Sequence, residues 1–194
     1  MPNRLDNLVP PYGYKWRGST IDIEGTWMSG RDPKENFEDV WNQPLHIFRT
    51  FKSKSNPEIR NELPWIESGG ILFYSIQPSD YETYGPGEPG EEGQKDGEIR
   101  RYAQEIKKVS PNQVMVPVGF EPDQYVNEEE PEKYRGTPEQ YKAMYRHFID
   151  VFREEEVDNV VWVMDYSYGI RLDPDLAVRL WPGPEVQWLF FNVF

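Results

Sequence analysis

Short apolar runs alternate along the chain with longer segments of helical spacing. The runs are rich in β-branched and aromatic residues, which is typical of buried strands. In the segments between them, apolar residues recur every three or four positions. Several of these segments begin with Asp, Asn or Thr followed by proline, a pattern that predicts a helix start. The predicted strands lie at 19–27, 45–51, 71–76, 113–118, 159–164 and 187–194, and the predicted helices at 32–41, 56–66, 97–110, 138–152 and 174–180.

This order of elements predicts a parallel sheet with right-handed crossovers. A doubly wound sheet shares the pattern. However, the units repeat evenly and Trp27-Met28-Ser29-Gly30 is no glycine-rich phosphate turn, which favours a barrel. We therefore expect an α/β fold of the (β/α)8 TIM-barrel type, incomplete, with about six βα units in the chain. We expect an irregular N-terminal arm at residues 1–18 and a single partial barrel domain at residues 19–194.

The composition of the chain argues against several classes of function. The net charge is −13, which argues against binding to nucleic acid or to an anionic membrane surface. There are no cysteines, so disulfides, thiolate catalysis and cysteine-based zinc sites are excluded. No second histidine lies three or four residues from His46 or His147, so we expect no metal and no cofactor. The first residues contain no hydrophobic signal-peptide core, and no apolar run is long enough to span a membrane.

The segment 113–125 carries the strongest candidate chemistry. Glu121 falls at the tip of a predicted strand, beside Phe120 and Tyr125. In a parallel barrel the loops after the strands form the active face, and an apolar pocket raises a carboxyl pKa towards that of a general acid. The alternative is a surface loop carboxylate.

Further candidates fall at the other predicted strand tips. Asp165 follows the next strand, so it is a possible partner carboxylate for Glu121, and the alternative is a loop or cap hydrogen bond. Aromatic and amide side chains at such tips suit sugar stacking and hydroxyl recognition, and packing at the rim is the alternative for each. With Asp165, the predicted substrate-binding residues are Trp27, Gln77, Tyr125, Tyr166 and Asn192.

Four motifs resemble glycoside hydrolase family 26, the β-mannanase-like enzymes of the retaining (β/α)8 clan. They are DGEIRRYAQEIKK before the fourth strand, VPVGFEPDQY at that strand, GTPEQYKAMYRHFIDVFREEEVDNVVWVMDYS for the next helix and strand, and WPGPEVQWLFFNVF at the sixth strand. The resemblance implies that Glu121 is the acid/base. It also implies a β-linked polysaccharide as substrate, mannan or a related glucan, and an extracellular location.

The chain departs from the family pattern at identifiable positions. Phe120 stands where the family usually has a histidine, Pro122-Asp123 where it has Asn-Gly, and Gln187 where it has aspartate. The resemblance places the nucleophilic glutamate on a seventh strand, whereas the sequence ends at the sixth. We expect a fragment of a longer protein; the alternatives are a second subunit that covers the open barrel edges and a repurposed fold.

Two functional classes therefore stay open, and an unrelated enzyme of the parallel α/β class that uses Asp165 and Glu121 is a third alternative. One is a retaining glycoside hydrolase, with Glu121 as acid/base and a nucleophile supplied by strands outside this sequence. The other is a catalytically inactive protein that binds carbohydrate or serves a structural role on a barrel scaffold, because fold alone does not fix function.

Overall fold

The computed structural model describes residues 18–20, 47–167 and 173–192. Six strands form one sheet, hydrogen-bonded in the order in which they occur in the chain. Every neighbouring pair is parallel. The strands are β1 (Gly18–Thr20), β2 (Ile47–Lys52), β3 (Ile71–Ile76), β4 (Val114–Pro117), β5 (Val160–Ser167) and β6 (Val186–Asn192).

From β2 onwards, helices connect consecutive strands and pack on one side of the sheet. They are α1 (Leu63–Glu67), α2 (Asp96–Lys107), α3 (Pro122–Tyr125), α4 (Pro138–Glu154) and α5 (Pro174–Leu180), with a 3-10 turn at Pro131–Lys133. The start of α4 has the predicted Thr-Pro pattern and also a capping box, in which Thr137 and Gln140 each bond the other's backbone amide. Among the described helices, none combines the length and the apolar character needed to cross a membrane.

Both faces of the sheet are covered by apolar side chains. The outer face forms a large core with α2 and α4, in which Leu72, Val116 and Phe148 are fully buried. The inner face carries a second, smaller cluster from β3, β4 and β5, including Phe73, Met115 and Val163, with Ile47, Trp188 and Phe190 packed against it. Such a filled interior is typical of a (β/α)8 barrel. The described strands form an incomplete barrel of this type.

The helix predicted at 56–66 is wrong over most of its length, because only Leu63–Glu67 is helical. Asn56 instead bonds back to Ser53 in a tight turn. The strand predicted at 71–76 is confirmed residue for residue. The arm at 1–18 lies outside the described residues except for Gly18, as do the helix predicted at 32–41 and most of the first predicted strand.

The fifth strand runs three residues further than the predicted 159–164, ending at Ser167. Asp165 and Tyr166 therefore lie within β5 rather than in a loop beyond it. Because side chains alternate along a strand, these two neighbours face opposite sides of the sheet. This difference decides which of the two lies in the barrel interior.

Candidate active site

Glu121 lies at the carboxyl end of β4, held by backbone hydrogen bonds to strands on either side. The amide of Gly119 donates to the Ile76 carbonyl of β3 at 2.8 Å, and the amide of Glu121 donates to the Asp165 carbonyl of β5 at 2.7 Å. Glu121 is buried, with 8% of its surface exposed. The turn after β4 is thus fixed to both neighbouring strands.

The backbone of this turn is left-handed at two positions. Gly119 has φ of 63°, which glycine adopts without steric cost. Glu121 has φ 53° and ψ 45°, an unusual conformation for a residue with a side chain. Pro122 follows and begins α3, so the proline starts a short helix at the strand tip. Backbone strain of this kind is often found at functional sites.

Asp165 forms a buried ion pair with Arg49 of β2 inside the barrel. The Arg49 Nη2 atom lies 2.5 Å from Asp165 Oδ2, and the two side chains are 3% and 0% exposed. Arg49 Nε also donates to Ser75 Oγ of β3 at 2.9 Å. Burial lowers the pKa of the Arg49 guanidinium, while the negative charges of Asp165 and Glu121 act in the opposite direction. Arg49 is therefore the ion-pair partner of Asp165 and also feels the charge of Glu121.

Four phenylalanine rings surround the Arg49 guanidinium. Its Cζ atom lies 4.7 Å from the ring centre of Phe51, 5.1 Å from those of Phe73 and Phe120, and 5.6 Å from that of Phe190. Contacts of this length are cation–π interactions. The rings replace water around the guanidinium and fix its position.

Gln77 directly follows β3, at the same edge of the sheet as Glu121. Residues of β3 alternate between the inner cluster, with Ile71 and Phe73, and the outer core, with Leu72, Tyr74 and Ile76. Gln77 continues the inner series. Both atoms of its amide group are buried and have no hydrogen-bond partner. Such an amide favours a bound hydroxyl or water, because an unsatisfied buried polar group is costly.

The other predicted substrate-binding residues lie differently. Tyr125 is partly buried against the outer core, and Arg135 covers its ring at 4.3 Å. Tyr166 lies on the outer side of β5, where its hydroxyl donates to the Ala177 carbonyl of α5 at 2.9 Å. The structure therefore brings neither ring to the interior beside Arg49. Asp165 is in that interior, but its carboxylate is enclosed.

The side chains of two predicted substrate-binding residues are not described. Trp27 lies outside the described residues, and Asn192 ends β6 with only its backbone described. Across the described ranges, no group of three or more His, Asp or Glu side chains is close enough to hold a metal ion.

Sequence reasoning missed Arg49 and Phe51 as members of this site. The signal was an arginine within the apolar run LHIFRTF, because a charged residue in a covered strand must find a partner. Which partner it finds depends on strands far away in the sequence, since Arg49 and Asp165 are 116 positions apart.

Of the comparisons with known proteins, only those with solved structures found matches. No protein-family model matches the sequence, and no curated protein does. A ruminal family 26 endo-β-1,4-mannanase matches 90% of this chain and 44% of its own, with a TM-score of 0.66 and 15% identity. The chain has the fold of the family 26 endo-β-1,4-mannanases.

Two further mannanase structures support this assignment. The family 26 domain of a Prevotella bryantii endo-β-mannanase/endo-β-glucanase has a TM-score of 0.63 at 11% identity, covering 93% of this chain and 68% of its own. A Cellulomonas fimi endo-β-1,4-mannanase has a TM-score of 0.58 at 14% identity, covering 82% and 43%. The chain therefore spans less than half the length of the ruminal and Cellulomonas enzymes. In this chain Glu121 follows β4, at the carboxyl end of that strand.

Proposed function

We propose that the chain is the β-glycan-binding part of a glycoside hydrolase in which Glu121 is the general acid/base. The supporting observation is the position of Glu121: a buried carboxyl at the carboxyl end of a barrel strand, in a strained turn that is bonded to β3 and β5. The proposed substrate is a β-1,4-linked mannan or a related glucan.

In the proposed mechanism Glu121 protonates the leaving glycosidic oxygen and later removes a proton from the attacking water. A retaining mechanism also needs a carboxylate nucleophile roughly 5–5.5 Å from the acid/base. Asp165 does not suit that role, because Arg49 holds its carboxylate and no part of its side chain is exposed. The nucleophile in this proposal comes from polypeptide outside this sequence.

Binding without hydrolysis is the second candidate function. The observation that favours it is again the Arg49–Asp165 pair. Arg49 binds the carboxylate of Asp165, so this carboxylate is not available as a partner for Glu121. A glycosidase of this kind requires two carboxyl groups that can react. In that case Glu121 would accept hydrogen bonds from sugar hydroxyls.

Reducing-sugar release from β-1,4-mannan, together with calorimetric binding of β-1,4-mannohexaose, tests both candidates. Because the proposed nucleophile lies outside this sequence, the hydrolase candidate predicts turnover in a longer form that supplies it, and in that form Glu121→Gln should lower the rate by about 100-fold or more, the usual contribution of a general acid. Binding of mannohexaose without turnover in that longer form would favour the second candidate, whereas this chain by itself binds without turnover under both. Absence of both binding and turnover would contradict both.

A matched control and a leaving-group series sharpen the acid/base test. Glu129→Gln changes an exposed glutamate in the nearby loop and should leave the rate unchanged. Aryl β-mannosides with a 2,4-dinitrophenolate leaving group need little protonation, so Glu121→Gln should slow their cleavage less than that of mannan. An equal loss on both substrates would mean that Glu121 does not act as the acid.

A further inference from the structure

Phe51 and Phe120 form an aromatic pair at the mouth of the incomplete barrel. Their ring centres lie 5.2 Å apart at an interplanar angle of 64°, an edge-to-face arrangement. Phe51 is the last inner residue of β2 and is 45% exposed, while Phe120 is partly exposed and directly precedes Glu121. Phe51 is one of the large apolar side chains that stay exposed among the described residues.

The Arg49 guanidinium contacts both rings and fixes their positions. It is close to both ring centres and is itself fixed by Asp165 and Ser75. The residue opposite Phe51 on β3 is the small Ser75, which accepts a hydrogen bond from Arg49. The rings are therefore preorganised, so that a ligand resting on them loses little side-chain entropy on their account.

Two polar side chains are near this apolar pair in chain order and in strand order. The Glu121 carboxyl follows Phe120 in the chain, and the unpartnered amide of Gln77 follows β3, between the ends of β2 and β4 in the strand order. An apolar platform next to a carboxylate and an amide matches a pyranose ring, whose C–H face is apolar and whose edge carries hydroxyl groups. A purely apolar ligand would leave the Gln77 amide unsatisfied.

From this geometry we propose that Phe51 and Phe120 are a sugar-stacking site, which binds the C–H face of a pyranose ring and presents that ring to Glu121. The inference rests on the proposed function and names the residues that position the sugar. It gives the enclosed Arg49–Asp165 pair a supporting role, because the pair holds the platform and has no contact with the ligand.

Binding of β-1,4-mannohexaose to the chain and its variants, measured by isothermal titration calorimetry, tests the site. Phe51→Ala should weaken binding about five- to tenfold, the usual worth of one aromatic contact. Phe51→Tyr keeps the ring and should bind within about twofold of the original chain. The matched control is Phe191→Ala on the outer side of β6, since Phe191 is also 45% exposed, and this change should leave affinity unaltered.

The outcomes separate this inference from the proposed function. If the original chain binds mannohexaose and Phe51→Ala binds equally well, the stacking site is wrong and the proposed function stands. If Phe191→Ala weakens binding as much as Phe51→Ala, the effect is not specific to the pair and the stacking site is also wrong. If the original chain binds no mannohexaose, both proposals fail.

Chemical-shift mapping covers the case in which Phe51→Ala alters the fold. Mannohexaose should shift the ring resonances of Phe51 and Phe120 in the unmodified chain, with the ring of Phe191 as an internal control. Shifts at Phe191 without shifts at Phe51 and Phe120 would overturn the inference.

Discussion

The backbone amide of Glu121 donates to the backbone carbonyl of Asp165 at 2.7 Å. This bond ties the strained turn after β4 to β5, at the residue whose side chain pairs with Arg49. One backbone hydrogen bond thus joins the candidate acid Glu121 to the residue that forms the ion pair inside the barrel. The effects of changes at these residues can be measured on the free energy of unfolding as well as on binding.

The left-handed conformation of Glu121 predicts an unusual order of stability among its variants. Asparagine tolerates this region because its short polar side chain bonds locally, whereas a β-branched residue does not. Glu121→Val should therefore be less stable than Glu121→Asn by about 1–2 kcal/mol. Urea unfolding followed by circular dichroism measures the difference. Equal stabilities would mean that the turn does not hold φ at 53° in solution.

The buried Arg49–Asp165 pair predicts strong coupling in a double-mutant cycle. Removing one partner, in Asp165→Leu or Arg49→Met, leaves an uncompensated charge and should cost about 3–5 kcal/mol. Changing both together should recover most of that loss, because the two opposite charges of the pair are removed together. The unfolding free energies of the four proteins give the coupling.

An exposed pair provides the control for that cycle. Arg153 and Asp150 lie 2.8 Å apart on α4, with side chains 64% and 61% exposed. Asp150→Asn should change stability by less than about 1 kcal/mol, because water screens such pairs. Additive losses at Arg49 and Asp165 would show that the two side chains do not interact in solution.

Gly119 is predicted to be intolerant of any side chain. A Cβ atom there would lie 2.9 Å from the Tyr141 ring and 3.3 Å from the Tyr81 ring, and φ is 63°. Gly119→Ala should therefore cost about 1–3 kcal/mol and disturb the turn that carries Glu121. Gly97→Ala in α2 meets nothing within 4 Å and should stabilise the chain by about 0.5–1 kcal/mol. A neutral Gly119→Ala would contradict the close packing of β4 against α4.

The hydrogen bond from Tyr84 to Glu98 attaches the long segment after β3 to α2. We expect this attachment to weaken in acid. Partial burial acts to raise the pKa of Glu98, but hydrogen bonds from Tyr84 at 2.6 Å and Lys95 at 2.9 Å outweigh it and hold the pKa below its ordinary value. A carboxylate with a lowered pKa stabilises the fold above its unfolded-state pKa, and this contribution is lost as pH falls through the folded-state pKa.

The stability difference between the original chain and Glu98→Gln should accordingly be present at neutral pH and shrink below about pH 4. A value of about 1 kcal/mol or less is expected, because the pair is only partly buried. Urea unfolding at both pH values measures it. A difference that stays constant with pH would show that the charge of Glu98 makes no contribution.

Local patterns in the sequence predicted most of the described elements. The apolar run at 71–76 and the Thr-Pro start of α4 depend on neighbouring residues, so they could be read without knowledge of the fold. The same patterns gave an even succession of strands and helices, from which the parallel barrel type followed, and Glu121 at the end of β4.

Only the tertiary structure decided how the charged residues are used. Whether Asp165 lies beyond β5 or within it depends on how far β6 pairs with it, and Asp165 is in register with Phe190 of β6. Arg49 meets Asp165 and the four phenylalanine rings because the strands bring β2 and β5 side chains into one interior. The sequence by itself therefore determined the succession of elements and the glutamate at the strand tip. The identity of its neighbours depends on contacts between distant segments, which periodicity does not encode.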